Sequence, residues 1–134
     1  MTINEIAKEI HDNAVAHGWW DEPRSFAEVM ALCVSELAEA LEEDRAGKPM
    51  VYCKCMENGE PCEGINCDYF ETFDGGCKNS CLDPKPEGGA VEMADCIIRI
   101  LDWAGQAGVD MEQIILLKHE YNKSRPYRHG GKTI

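Results

Sequence analysis

The chain is poor in cationic residues and has no long apolar run. Thirteen Lys and Arg stand against 25 Asp and Glu in 134 residues, a formal net charge of −12. Nucleic acid is therefore not expected as a partner, because neutralising a phosphate backbone needs clustered Lys and Arg. A nucleotide stays open, since metal ions held on carboxylates can meet its phosphates. No segment approaches the roughly 20 consecutive apolar residues of a membrane span, so no membrane partner is expected. The stretch Met1-Thr2-Ile3-Asn4-Glu5 lacks the basic and apolar regions of a secretory signal, which makes the expected location cytoplasmic. No P-loop, dinucleotide-type glycine fingerprint or Ser–His–Asp arrangement is present, and no repeat, heptad run or low-complexity tract interrupts the chain. Its length suits one domain, residues 1–134, small enough for oligomerisation to complete the core.

Acidic residues are abundant, and two pairs of them are ordered. Glu36-Leu37-Ala38-Glu39 and Glu92-Met93-Ala94-Asp95 each space two carboxylates i, i+3, on one side of a helix. Four carboxylates from two helices make a hard oxygen site of the kind Mg²⁺ or Mn²⁺ prefers. On a helical wheel Glu36 falls at the edge of the apolar arc, near Val29 and Ala40. Glu39 follows on the polar side, and Glu43 lies seven residues (two turns) beyond Glu36, close to it in angle. Asp95, Arg99 and Asp102 occupy a polar strip of the later helix. Any one of these acids alone reads as an ordinary solvated side chain; two clusters beside apolar stripes favour a metal site.

The periodicity predicts four helices. Thr2 caps a first one carrying Ile3, Ile6, Ala7 and Ile10, which fades near His17-Gly18. Ser25 caps a second, with Glu28 three residues on as in a capping box, and its apolar positions are Phe26, Val29, Met30, Cys33, Leu37, Ala40 and Leu41. Gly47 and Pro49 stop it. A third is expected from Pro86 or Glu87 through Met93, Ile97, Leu101 and Ala104, ended by Gly105 and Gly108. A fourth follows Asp110 to about Ser124, where Pro126 closes it. On that helix Lys118, Asn122 and Arg125 share a face, a cationic strip suited to phosphate or, equally, to a helix C-terminus.

With these residues in order, the chain resembles the MazG-like all-α nucleoside triphosphate pyrophosphohydrolases, in particular small single-domain members. The family pattern is EExxE on one helix and ExxD on the next long one. Here the first appears as Ser35-Glu36-Leu37-Ala38-Glu39, with Ser35 in place of the leading Glu, and the second is intact as Glu92-Met93-Ala94-Asp95. The stretches Gly18-Trp19-Trp20-Asp21-Glu22-Pro23-Arg24, Glu39-Ala40-Leu41-Glu42-Glu43-Asp44-Arg45, Lys85-Pro86-Glu87-Gly88 and Glu120-Tyr121-Asn122-Lys123-Ser124-Arg125-Pro126-Tyr127-Arg128 also match. The likeness covers residues 1–50 and 84–134. It implies hydrolysis of an NTP or dNTP to the monophosphate and pyrophosphate by water activated at Mg²⁺ or Mn²⁺. Glu36, Glu39, Glu92 and Asp95 would be the metal ligands, with Glu36 or Glu39 orienting or deprotonating the water. Lys118, Asn122 and Arg125 would touch phosphate or sugar, and Trp20 (or Trp19) would stack on the base, although either tryptophan reads as well as plain packing. The implied assembly is a homodimer or homotetramer.

The chain departs from that pattern in a cysteine-rich insertion, residues 51–83, between the second and third helices. Cys53, Cys55, Cys62, Cys67, Cys77 and Cys81 fall there among glycines and acids. In a reducing compartment structural Zn²⁺ is the favoured means of ordering such a block, with disulfides or an iron–sulfur cluster as alternatives. Cys33 and Cys96 lie on helical core stripes and read as small buried apolar residues. The expected fold is thus all-α, an antiparallel helical bundle completed by oligomerisation, with an irregular Cys-rich insertion. A competing function is a non-catalytic metal-sensing or partner-binding module that works through that loop.

Overall fold

The computed structural model describes residues 1–54, 56–57, 60–61 and 85–127, with side chains from 53 to 84 left undescribed. It is mostly helical. Among the described residues the helices are α1 (Ile3–Ala16), α2 (Phe26–Arg45), α3 (Gly89–Ala107) and α4 (Met111–Lys123). The short strands are β1 (Tyr52–Lys54), β2 (Met56–Glu57), β3 (Glu60–Pro61) and β4 (Lys85–Glu87). Two compact units result: residues 1–24 with 100–134, and residues 25–99.

Local chemistry sets the helix starts. Thr2 and Ser25 both form capping boxes, each side-chain oxygen accepting from the amide of Glu5 or Glu28 while that glutamate accepts from the cap's own amide. Each such cap contributes about 1 kcal/mol. Asp110 caps α4, accepting from the Gln113 amide. That carboxylate also accepts from Asn4 Nδ2 at 2.8 Å, tying the start of α1 to the start of α4. The two bonds hold its pKa below the usual range, the Asn4 contact being the larger cause.

Two boundaries of α3 differ from the pattern in the sequence. Pro86 and Glu87 do not open the helix; they lie in β4, antiparallel to β1 with Cys53 opposite Pro86 and Tyr52 opposite Glu87. The turn to helix comes at Gly88, whose φ of +115° suits glycine, and a Cβ there would lie 2.5 Å from the Met50 carbonyl oxygen. At the far end Gly108 (φ +66°) does terminate α3, but Gly105 sits inside it. Its missing side chain leaves room for His11 of α1, whose Cβ would lie 2.6 Å from an added methyl group.

In the unit of residues 25–99, α2 and the first part of α3 run antiparallel, with Cys33 against Cys96 and Ala40 against Gly89. Val29, Cys33 and Cys96 are buried in this unit. Both cysteines are free thiols, as their place on the core stripes implies, and burial raises the pKa of Cys33. The other unit buries Ala7, Leu101 and Ala104. Several residues of the anticipated core stay exposed in the single chain: Leu37 at 50%, Leu41 at 48%, Met93 at 54% and Ile97 at 56%.

Candidate metal centre

The antiparallel pairing carries the Glu36–Glu39 turn of α2 to the start of α3. One ligand oxygen from each of Glu36, Glu39 and Glu92 then falls within 4.8 Å of the others. Glu36 is 6% exposed and Glu92 9%, while Glu39 opens to solvent. Burial raises the Glu92 pKa, and the nearby charges of Glu39, Asp95, Glu36 and Glu87 raise it further. Among the described residues no donor hydrogen-bonds the Glu92 carboxylate. Three carboxylates this close repel one another, and a cation that joins them relieves that repulsion.

One cation of the chain itself is already there. Arg99 reaches Glu36 through Nε and Nη2, both 2.6 Å from the same oxygen, Oε1. In the sequence Arg99 lies on a polar strip, seven residues from Glu92 and so on the same helix face. Three convergent carboxylate oxygens are a hard donor set, which fits Mg²⁺ or Mn²⁺ and offers no nitrogen or sulfur to a softer ion.

The remaining acids of the two motifs lie outside that triad. Asp95 is partly buried; burial and the charge of Glu36 raise its pKa, while Arg99 and Lys85 pull it down. Ser35 turns its hydroxyl back onto the Leu32 carbonyl at 2.8 Å. Glu43, close to Glu36 in angle, instead accepts from the Tyr52 hydroxyl at 2.8 Å. That bond follows burial as a cause of the Tyr52 pKa rising to about 12. The i, i+7 angle from Glu36 to Glu43 therefore does not bring Glu43 to the centre.

The other unit holds a second buried acid. Asp102, expected on the polar strip, is 6% exposed, and its Oδ1 accepts from Trp20 Nε1 at 2.8 Å and pairs with His11 Nδ1 at 2.8 Å. Its partners come from 82 and 91 residues away, so helical angle alone could not place it. The Trp20 ring stands edge-on to His11 with centroids 6.0 Å apart. Trp19 carries the Arg24 guanidinium over its ring at 4.1 Å. Lys118 and Asn122 on α4 and Arg125 just beyond it are exposed, with Lys118 Nζ 4.7 Å from the Tyr121 ring centroid. Cys55, Cys62, Cys67, Cys77 and Cys81, and the side chain of Cys53, fall outside the described residues, and the expectation of zinc there falls outside with them.

No described helix is long and apolar enough to cross a membrane. Comparison with family models, with curated proteins and with solved structures gave no match.

Proposed function

We propose that this chain is a nucleoside triphosphate pyrophosphohydrolase of the MazG-like kind, dependent on Mg²⁺ or Mn²⁺. The observation that supports it most is the convergence of Glu36, Glu39 and Glu92, two of them largely shielded from water. The resemblance of the two acidic motifs supplies the reaction: water adds across the α–β phosphoanhydride and yields the monophosphate and pyrophosphate. A bound divalent ion supplies charge neutralisation at the phosphates and in the transition state. Glu36, Glu39 and Glu92 would hold it, with Asp95 as a fourth carboxylate. Glu39, the open member of the triad, is best placed to orient the attacking water and take its proton.

The same proposal gives Lys118, Asn122 and Arg125 contacts to phosphate or sugar and Trp20 a contact to the base; the resemblance supports these. Exposed Leu37, Leu41, Met93 and Ile97 support association into a homodimer or homotetramer, since side chains of that size gain by burial against a partner. Structural zinc in the Cys-rich insertion and a cytoplasmic location belong to the proposal as well.

Pyrophosphate release from a panel of common NTPs and dNTPs, with and without Mg²⁺, tests it. Metal-dependent release from at least one nucleotide is expected. Metal binding with no turnover on any of them would instead favour the non-catalytic metal-sensing module.

A further inference from the structure

The Arg99–Glu36 ion pair bears on how the centre accepts its metal. Glu36 is 6% exposed, so its charge is poorly served by water, and Arg99 is the cation bonded to it. Arg99 Nε and Nη2 both lie 2.6 Å from Oε1, and the guanidinium charge also lowers the pKa of Asp95, one turn earlier on α3. The guanidinium therefore bonds Glu36 on α2 and only screens Asp95 on α3 through its charge. On the other side of the cluster Glu92, nine-tenths buried, has no donor among the described residues and shares its space with Glu36 and Glu39. Arg99 thus bonds the Glu36 side of the cluster, while on the Glu92 side Lys85 acts only through its charge, its ammonium being bonded to Glu87.

We infer that Arg99 is a built-in, displaceable counter-ion of this centre, which a divalent cation must drive off Glu36 in order to bind. The inference rests on the metal-centre reading above and adds to it a residue that sets metal affinity. A guanidinium and a divalent ion sharing one carboxylate repel each other, and shielding from water keeps that repulsion strong. A long, flexible side chain that is 28% exposed has a route outward, whereas Glu36, 8% exposed at its side chain, has none. Arg99 is the partner that yields. The pair keeps the metal-free site closed to a lone weak ion and makes loading a competition between cations.

The test uses the full chain and Mn²⁺ or Mg²⁺ alone, without nucleotide. Removing the competitor by Arg99→Gln should tighten Mn²⁺ binding measured by titration calorimetry about tenfold, as for a site whose competent form is about one-tenth populated. In the wild-type chain, the Arg99 Nε–H resonance should move toward the position of a solvent-exposed guanidinium as diamagnetic Mg²⁺ saturates the site. This second measurement needs no variant and so stands even if Arg99→Gln folds poorly. Equal or weaker Mn²⁺ affinity in Arg99→Gln, or an Arg99 resonance unmoved at saturation while the ion binds, would overturn the inference and leave the metal centre standing. Failure of either ion to bind the wild-type chain would overturn the centre and this inference together.

Discussion

Asp102, in the unit of residues 1–24 and 100–134, and Glu92, in the unit of residues 25–99, are shielded from water to nearly the same degree, at 6% and 9% exposed. Their surroundings are opposite in kind. Asp102 sits between two ring nitrogens at 2.8 Å, His11 Nδ1 and Trp20 Nε1. Glu92 faces carboxylates and has no donor among the described residues. A buried acid whose bonds are satisfied locks neighbouring groups in place, whereas acids crowded together repel one another and gain when a cation joins them. The first arrangement builds structure; the second is the one on which the proposed metal centre rests.

The comparison breaks first on activity. Glu39→Gln preserves the volume of the open carboxylate but removes its charge from the triad. Turnover, followed as pyrophosphate release with saturating Mg²⁺, should fall by about 10³-fold, the loss typical when a preorganised electrostatic group leaves a transition state. Helix content by circular dichroism should not change. Activity within a few-fold of wild type, in a variant that binds metal normally, would remove the triad from catalysis.

Stability should respond most at the satisfied acid. Asp102→Ala leaves the His11 and Trp20 N–H groups without an acceptor, and about 3 kcal/mol of unfolding free energy should disappear in urea denaturation. Asp102→Asn is the sharper probe. Both donors meet Oδ1, so the amide oxygen can keep them, and the loss should shrink to about 1 kcal/mol. Equal losses in both variants would mean that the charge of Asp102, rather than its acceptor geometry, holds the rings.

The same unit gives a test of close approach. Alanine ordinarily improves a helix by about 1 kcal/mol over glycine. Inside α3, however, the new Cβ of Gly105→Ala would meet His11 Cβ at 2.6 Å and Cγ at 2.9 Å. Overpacking of this kind costs roughly 1–3 kcal/mol, so the net change should be destabilising by about 1 kcal/mol. A rise in melting temperature would show that α1 yields easily, and that the His11–Asp102 bond is not a tight constraint.

These contrasts also separate what could be read in the chain from what could not. Local codes were legible: the Ser25 cap with Glu28, the Thr2 cap, the stop at Gly108, and the i, i+3 spacing that puts Glu36 and Glu39 on one turn. Glu92 joined them because antiparallel pairing of the two best apolar stripes brings those turns together. What escaped depends on partners distant in sequence. Arg99 bonds an acid 63 residues away, Asp102 a histidine 91 residues away, and the start of α3 is delayed by strand pairing with residues 52–54. Exposure of Leu37 and Ile97 escaped for another reason, since an apolar stripe records that burial is needed but not which surface provides it.

The smallest expected effect carries the sign that distinguishes the two acids. In the folded chain without metal, burial first and then Glu39, Asp95 and Glu36 make the Glu92 carboxyl harder to ionise than in the unfolded chain. The folded state therefore binds that proton more tightly. Its contribution is fully present below the ordinary carboxylate range and is lost as pH rises from there through the raised folded value. Asp95 is shifted in the same direction, by burial first and Glu36 next, with Arg99 and Lys85 opposing; Glu87 of β4 adds to both shifts. Glu92→Gln should thus stabilise the metal-free chain at neutral pH by about 0.5 kcal/mol, the scale of like-charge repulsion on one helix face. It should also flatten part of the decline in melting temperature between acidic and neutral pH. Added Mg²⁺ should reverse the order: the wild-type chain gains stability and Glu92→Gln does not. If Glu92→Gln instead loses stability without metal, as Asp102→Ala should, then Glu92 has a donor in solution and the two acids are alike after all.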